Sequence, residues 1–76
     1  MPLNASKQQV LTVLAEKVNQ DPSAGLIDTA YIANQLNISV DKTKEIIKSM
    51  GGMGIIESSI ECDYTLITQK GLGLLE

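Results

Sequence analysis

The strongest constraint in this sequence is Asn37-Ile38-Ser39, a break of only three residues between two helical patterns. Upstream, Asp28 is a good N-cap for a helix over residues 29–36, with Ile32, Ala33 and Leu36 on one face. Downstream, Ser39 can cap a helix over residues 40–50, where Thr43, Ile46, Ile47 and Met50 fall at i, i+3, i+4 and i+7. A three-residue turn gives two helices no room to separate, so they must cross in contact. Gly51 and Gly52 follow at once and are expected to supply the left-handed residue that ends the second helix.

The remaining segments fit around this pair. Ser6 stands three residues before Gln9, a capping-box spacing, and Val10, Leu11, Val13, Leu14 and Val18 continue an apolar pattern, so a first helix is expected over about residues 7–19. Turn formers dominate residues 19–25, and Pro22 bars further helix. Ile55-Ile56 and Tyr64-Thr65-Leu66-Ile67-Thr68 are rich in β-branched and aromatic residues and enclose the short polar stretch Glu61-Cys62-Asp63. They predict a hairpin over about residues 55–68. One more helical turn could start from Thr68, weakened by Gly71 and Gly73. With no Phe or Trp, the core must come from Leu, Ile, Val and Met. A domain this small buries only about 60% of its unfolded surface, so modest stability is expected.

The same inventory argues against catalysis. The chain has no His, removing the commonest general base and zinc ligand, and its one Cys cannot build a thiolate cluster. Cys62 lies between Glu61 and Asp63, a negative setting that disfavours a nucleophilic thiolate. Gly51-Gly52-Met53-Gly54 lacks the Lys-Ser or Lys-Thr of a phosphate loop. Neither an enzyme nor a cofactor, metal or identifiable small-molecule ligand is expected. No apolar run approaches the roughly 18 residues of a membrane span, and Met1-Pro2-Leu3-Asn4 is unlike a signal peptide, so the expected compartment is the cytoplasm.

Ile32-Ala33-Asn34-Gln35-Leu36-Asn37-Ile38-Ser39 resembles the helix-turn signature of the winged helix-turn-helix superfamily. Ala33 is small enough for the next helix to cross closely, and Leu36 and Ile38 are expected to fill the angle between helices. Residues 46–57 resemble the passage from recognition helix to wing in regulators of the multiple-antibiotic-resistance type. Residues 64–71 resemble the returning strand and the Thr-x-x-Gly turn after it. The resemblance implies an α+β fold in one domain over residues 1–76, with three helices and a small antiparallel sheet bearing a two-stranded wing. It also implies that Leu26-Ile27 is a first strand, although a loop with two buried anchors satisfies the pattern equally.

By the same resemblance the chain is a small DNA-binding transcriptional regulator, with its third helix in the major groove of double-stranded DNA. At about 100° per residue, Asp41, Glu45 and Lys48 point outward within about 40° of the pole opposite the apolar stripe, and Lys42 and Lys44 flank it. Expected phosphate contacts are therefore Ser39, Lys42, Lys44 and Lys48, with Glu45 or Asp41 available to a cytosine amino group. A homodimer is expected because one copy offers little contact. No long C-terminal helix, through which many relatives pair, is expected within these residues. Its seam would then lie at helix 1, through outward Val13 or Val18, or at residues 71–75. Charge argues the other way: all six basic residues are Lys, the net charge is −3, and residues 55–68 carry Glu57, Glu61 and Asp63 with no positive side chain. The alternative is a winged helix kept for protein–protein interaction, with little or no DNA binding.

Overall fold

The computed structural model describes residues 5–21 and 25–75. Its elements run α1 (Ala5–Gln20), β1 (Ile27–Asp28), α2 (Thr29–Leu36), α3 (Val40–Met50), a 3-10 turn (Gly51–Met53), β2 (Ile56–Ser58), β3 (Tyr64–Ile67) and α4 (Gln69–Leu74). The sheet order is β1-β3-β2, antiparallel throughout, with Ile27 opposite Thr65 and Ile56 opposite Ile67. Helices packed on a small antiparallel sheet that ends in a hairpin make this an α+β winged helix.

α2 and α3 occupy the spans their caps specify. Asp28 accepts a hydrogen bond from the Ala30 N–H at 2.9 Å, and Ser39 accepts one from the Lys42 N–H at 3.0 Å. Between them Asn37 turns left-handed at φ 57°, a conformation Asn tolerates better than most residues. Its N–H and that of Ile38 then satisfy the last carbonyls of α2. The stripe on α3 is buried as its spacing requires: Thr43, Ile47 and Met50 are fully enclosed and Ile46 partly so. They meet Val10, Leu11 and Leu14 of α1, Ile32 of α2 and Ile27, Ile55, Ile56 and Ile67 around the sheet, an aliphatic core. Lys17 of α1 lies 5.0 Å from the Tyr31 ring of α2, adding a cation–π contact between those helices.

Several sequence expectations are corrected. α1 has begun by Ala5, so Ser6 lies within the helix and is not its cap. α1 also continues through Gln20, and residues 22–24 of the expected loop lie outside the described residues. The left-handed residue after α3 is Gly54, at φ 75°, because Gly51 remains right-handed at φ −58° and opens the 3-10 turn. The first strand is Ile27–Asp28, one residue later than the Leu26-Ile27 pair, and Leu26 is exposed, which excludes two buried anchors. Ile38 is exposed where a buried side chain was expected, while Ala33 is buried and Leu36 packs half-buried against the core.

A further correction is α4, a fourth helix where three were expected. Thr68 caps it by accepting from the Gly71 N–H at 3.1 Å and donates to the Gly54 carbonyl at 2.8 Å. Its own N–H bonds the Ile55 carbonyl at 3.0 Å. One residue thereby starts α4 and ties it to the chain entering the wing.

Candidate nucleic-acid interface

The exposed side of α3 begins at its cap. Ser39 spends its hydroxyl oxygen on the Lys42 N–H, and the Thr43 hydroxyl donates to the Ser39 carbonyl at 2.9 Å. The N-terminal turn is therefore fixed by two side chains, one exposed and one buried. Asp41 in the first turn and Lys48 in the last both suit the helix dipole. Ser39, Asp41, Lys42, Glu45 and Lys48 are all exposed, and among the described residues no ion pair holds Lys42 or Lys48. Asp41, Lys42, Glu45 and Lys48 thus share the open side of α3, and Ser39 is exposed at its start.

Lys44 differs. Its Nζ lies 3.0 Å from Oδ1 of Asp63 in the wing, with the side chains 35% and 50% exposed. Asp63 raises the Lys44 pKa above the ordinary 10.5, first by the hydrogen bond and then by charge attraction. Lys44 is therefore charged at neutral pH and loses its proton only in strongly alkaline solution.

The wing tip that carries Asp63 is held from several sides. Ser59 accepts through its hydroxyl from the N–H groups of Asp63 and Tyr64, at 3.0 and 3.2 Å, and its carbonyl takes the Cys62 N–H at 2.9 Å. Cys62 sits left-handed at φ 60° with its side chain buried. The first residue of α2 completes the attachment: the Thr29 N–H bonds the Asp63 carbonyl at 2.9 Å, and the Thr29 hydroxyl donates to the Cys62 carbonyl. The wing tip is thus docked on α2 by its backbone and on α3 by a side chain.

Between α3 and that tip lies an open cleft of about 300 Å³ lined by Lys44, Glu45, Lys48, Ile60, Glu61 and Cys62. Ile60 stands at the apex fully exposed. Sequence reading missed both Ile60 and the Lys44–Asp63 pair. The acidity of the wing was legible, but no local spacing rule relates residues 44 and 63, whose contact depends on how the hairpin folds back. Among the described residues there is no group of three or more His, Cys, Asp or Glu placed to hold a metal ion, and no helix is long and apolar enough to cross a membrane.

No family model and no curated protein matches this sequence. Among solved structures, the chain is similar to ZitR, a zinc-responsive MarR family member from Lactococcus lactis, with a TM-score of 0.73 and 23% sequence identity. The likeness covers 97% of this chain and 49% of that one, so the chain spans about half the length of that protein. At this identity the likeness carries the fold alone: the described elements share the winged helix architecture of that structure.

Proposed function

We propose that this chain is a small DNA-binding regulator of transcription, cytoplasmic and homodimeric, that places α3 in the major groove. The observation that carries the reading is the open face of α3, where Lys42 and Lys48 stand without ion-pair partners. Lysines so placed neutralise phosphates and release condensed counterions, which supplies affinity without sequence preference. Ser39 sits beside them at the helix start, and Asp41 and Glu45 offer carboxylates to a cytosine amino group. With Lys44 already paired, the helix brings two lysines to phosphate rather than three. Such sparse contact favours a dimer, with half-buried Val13 and Val18 of α1 as its apolar seam.

The test is association with mixed-sequence duplex DNA across a salt series. Affinity should fall linearly on a log–log plot, and Lys42→Ala or Lys48→Ala should each flatten the slope by about one unit per bound copy. Absence of association even at low salt removes the reading. Sedimentation velocity tests the dimer, and a strict monomer at high concentration counts against it.

A second reading, a protein-interaction module, draws on the outer face of the sheet. The pairs Asp28 with Tyr64 and Glu57 with Leu66 lie on the side opposite buried Ile27 and Thr65. Alternation adds Leu26 to this side, giving exposed Leu26 and Tyr64 and partly exposed Leu66 between two carboxylates. Its matching partner is an apolar surface edged by Lys or Arg. A photo-crosslinker at Tyr64 that captures one partner, together with no DNA association at low salt, would establish this reading over the first.

A further inference from the structure

The wing is acidic, yet it lies against the helix that the proposed function assigns to DNA. We infer that Asp63 is the internal counter-ion of α3: it holds Lys44 where a DNA phosphate would otherwise be held, and so limits how strongly the helix grips DNA without regard to sequence. The inference rests on the DNA-binding reading and names the residue that sets its charge-dependent part.

Geometry carries it. The Nζ of Lys44 is 3.0 Å from Asp63 Oδ1, within charge-assisted hydrogen-bond range. The carboxylate does not reach that position by chance sampling of a loose loop. The Asp63 N–H is bonded to Ser59 Oγ at 3.0 Å, the Asp63 carbonyl takes the Thr29 N–H at 2.9 Å, and Cys62 beside it accepts from the Thr29 hydroxyl. Asp63 is therefore presented to α3 by backbone contacts independent of its own side chain. Both partners remain partly open to solvent, so DNA can approach the pair. Asp41 and Glu61 also act on Lys44 and deepen the negative surroundings.

Held by Asp63, Lys44 displaces no counterions and adds nothing to the salt dependence. Turning it to a phosphate would leave Asp63 unpaired against a polyanion, so the pair stays closed on DNA. The charge-driven part of binding is then smaller than three lysines would give, and contacts to base edges weigh more in the choice of site.

Asp63→Asn separates these contributions, because Asn is close in size and retains the backbone ties to Ser59 and Thr29. Binding of mixed-sequence duplex should tighten, with a log–log salt slope steeper by about one unit per bound copy. The advantage over the unmodified protein should shrink about threefold from roughly 50 to 200 mM salt. Lys44→Ala supplies the reciprocal arm. It should leave the slope of the unmodified protein unchanged and cancel the gain in the Asp63→Asn background. Binding with the same slope in the unmodified protein and Asp63→Asn overturns the counter-ion role alone. So does a Lys44→Ala slope flatter by about one unit in the unmodified protein, an arm that stands even if Asp63→Asn misfolds. No association by any of the proteins overturns the DNA-binding reading and this inference with it.

Discussion

Two glycines two positions apart in α4 have opposite meanings. A Cβ built on Gly71 would stand 2.2 Å from the Ile55 carbonyl oxygen and 2.9 Å from an Ile67 side-chain carbon, whereas one on Gly73 meets nothing within 4 Å. The Ile55 carbonyl cannot withdraw cheaply, because it accepts the Thr68 N–H that joins α4 to the entry of the wing. Gly71→Ala should therefore destabilise by about 1–3 kcal/mol, as overpacking of an interior does. Gly73→Ala should stabilise by about 0.5 kcal/mol, since Ala loses less backbone entropy in a helix than Gly. Urea denaturation of the two variants checks the pair, and equal effects would show that the close approach at Gly71 does not exist. The same contact explains why α4 is poorly legible in sequence. Propensity counts both glycines against a helix, while Gly71 is in fact what lets that helix sit down on the strands.

At the scale of elements, legibility follows the caps. α2 and α3 are specified to the residue because Asp28 and Ser39 satisfy N–H groups within three positions of themselves, a relation visible in one dimension. Where a boundary depends on distant packing, local spacing misleads. Ser6 has the right separation from Gln9 yet lies inside α1, and Gly51-Gly52 stands where a left-handed stop is usual while the chain makes a 3-10 turn first and reverses at Gly54. β1 is displaced by one residue because two residues carry no period of their own; pairing of Ile27 with Thr65 decides its register. For the site, the outward residues of α3 are readable from helical periodicity, but the fate of Lys44 is settled by the wing. Ser39 tests the local part of this account. Ser39→Ala should cost about 1 kcal/mol, Ser39→Asp should retain most of that stability, and Ser39→Gly should cost only a few tenths of a kcal/mol. Equal losses for Ala and Asp in urea melts would mean that the hydroxyl does not hold the start of α3.

For the whole molecule, charge is distributed against the shape. A winged helix offers a partner two projections, α3 and the wing, and here the unpaired lysines belong to the first while exposed Glu57 and Glu61 belong to the second. The net charge of −3 opposes an approaching polyanion overall, and against it α3 offers exposed Lys42 and Lys48. If α3 is the contact surface and the wing tip lies beside it on DNA, Glu57→Lys with Glu61→Lys should tighten association with mixed-sequence duplex. It should also steepen the salt slope by about two units per bound copy. Melting should change little, since exposed substitutions of this kind usually move stability by less than about 0.5 kcal/mol. Lys42→Glu with Lys48→Glu should abolish the association under the same conditions. A wing reversal that leaves affinity and slope untouched would place the wing away from DNA, so that Ile60 and the acidic hairpin face another surface while α3 binds alone. A wing reversal that restores nothing to a protein already unable to bind would instead match the module that meets a basic partner through its sheet. The wing is thus where the two functional readings diverge most, because one sign of charge there cannot serve both a phosphate backbone and a lysine-rich surface.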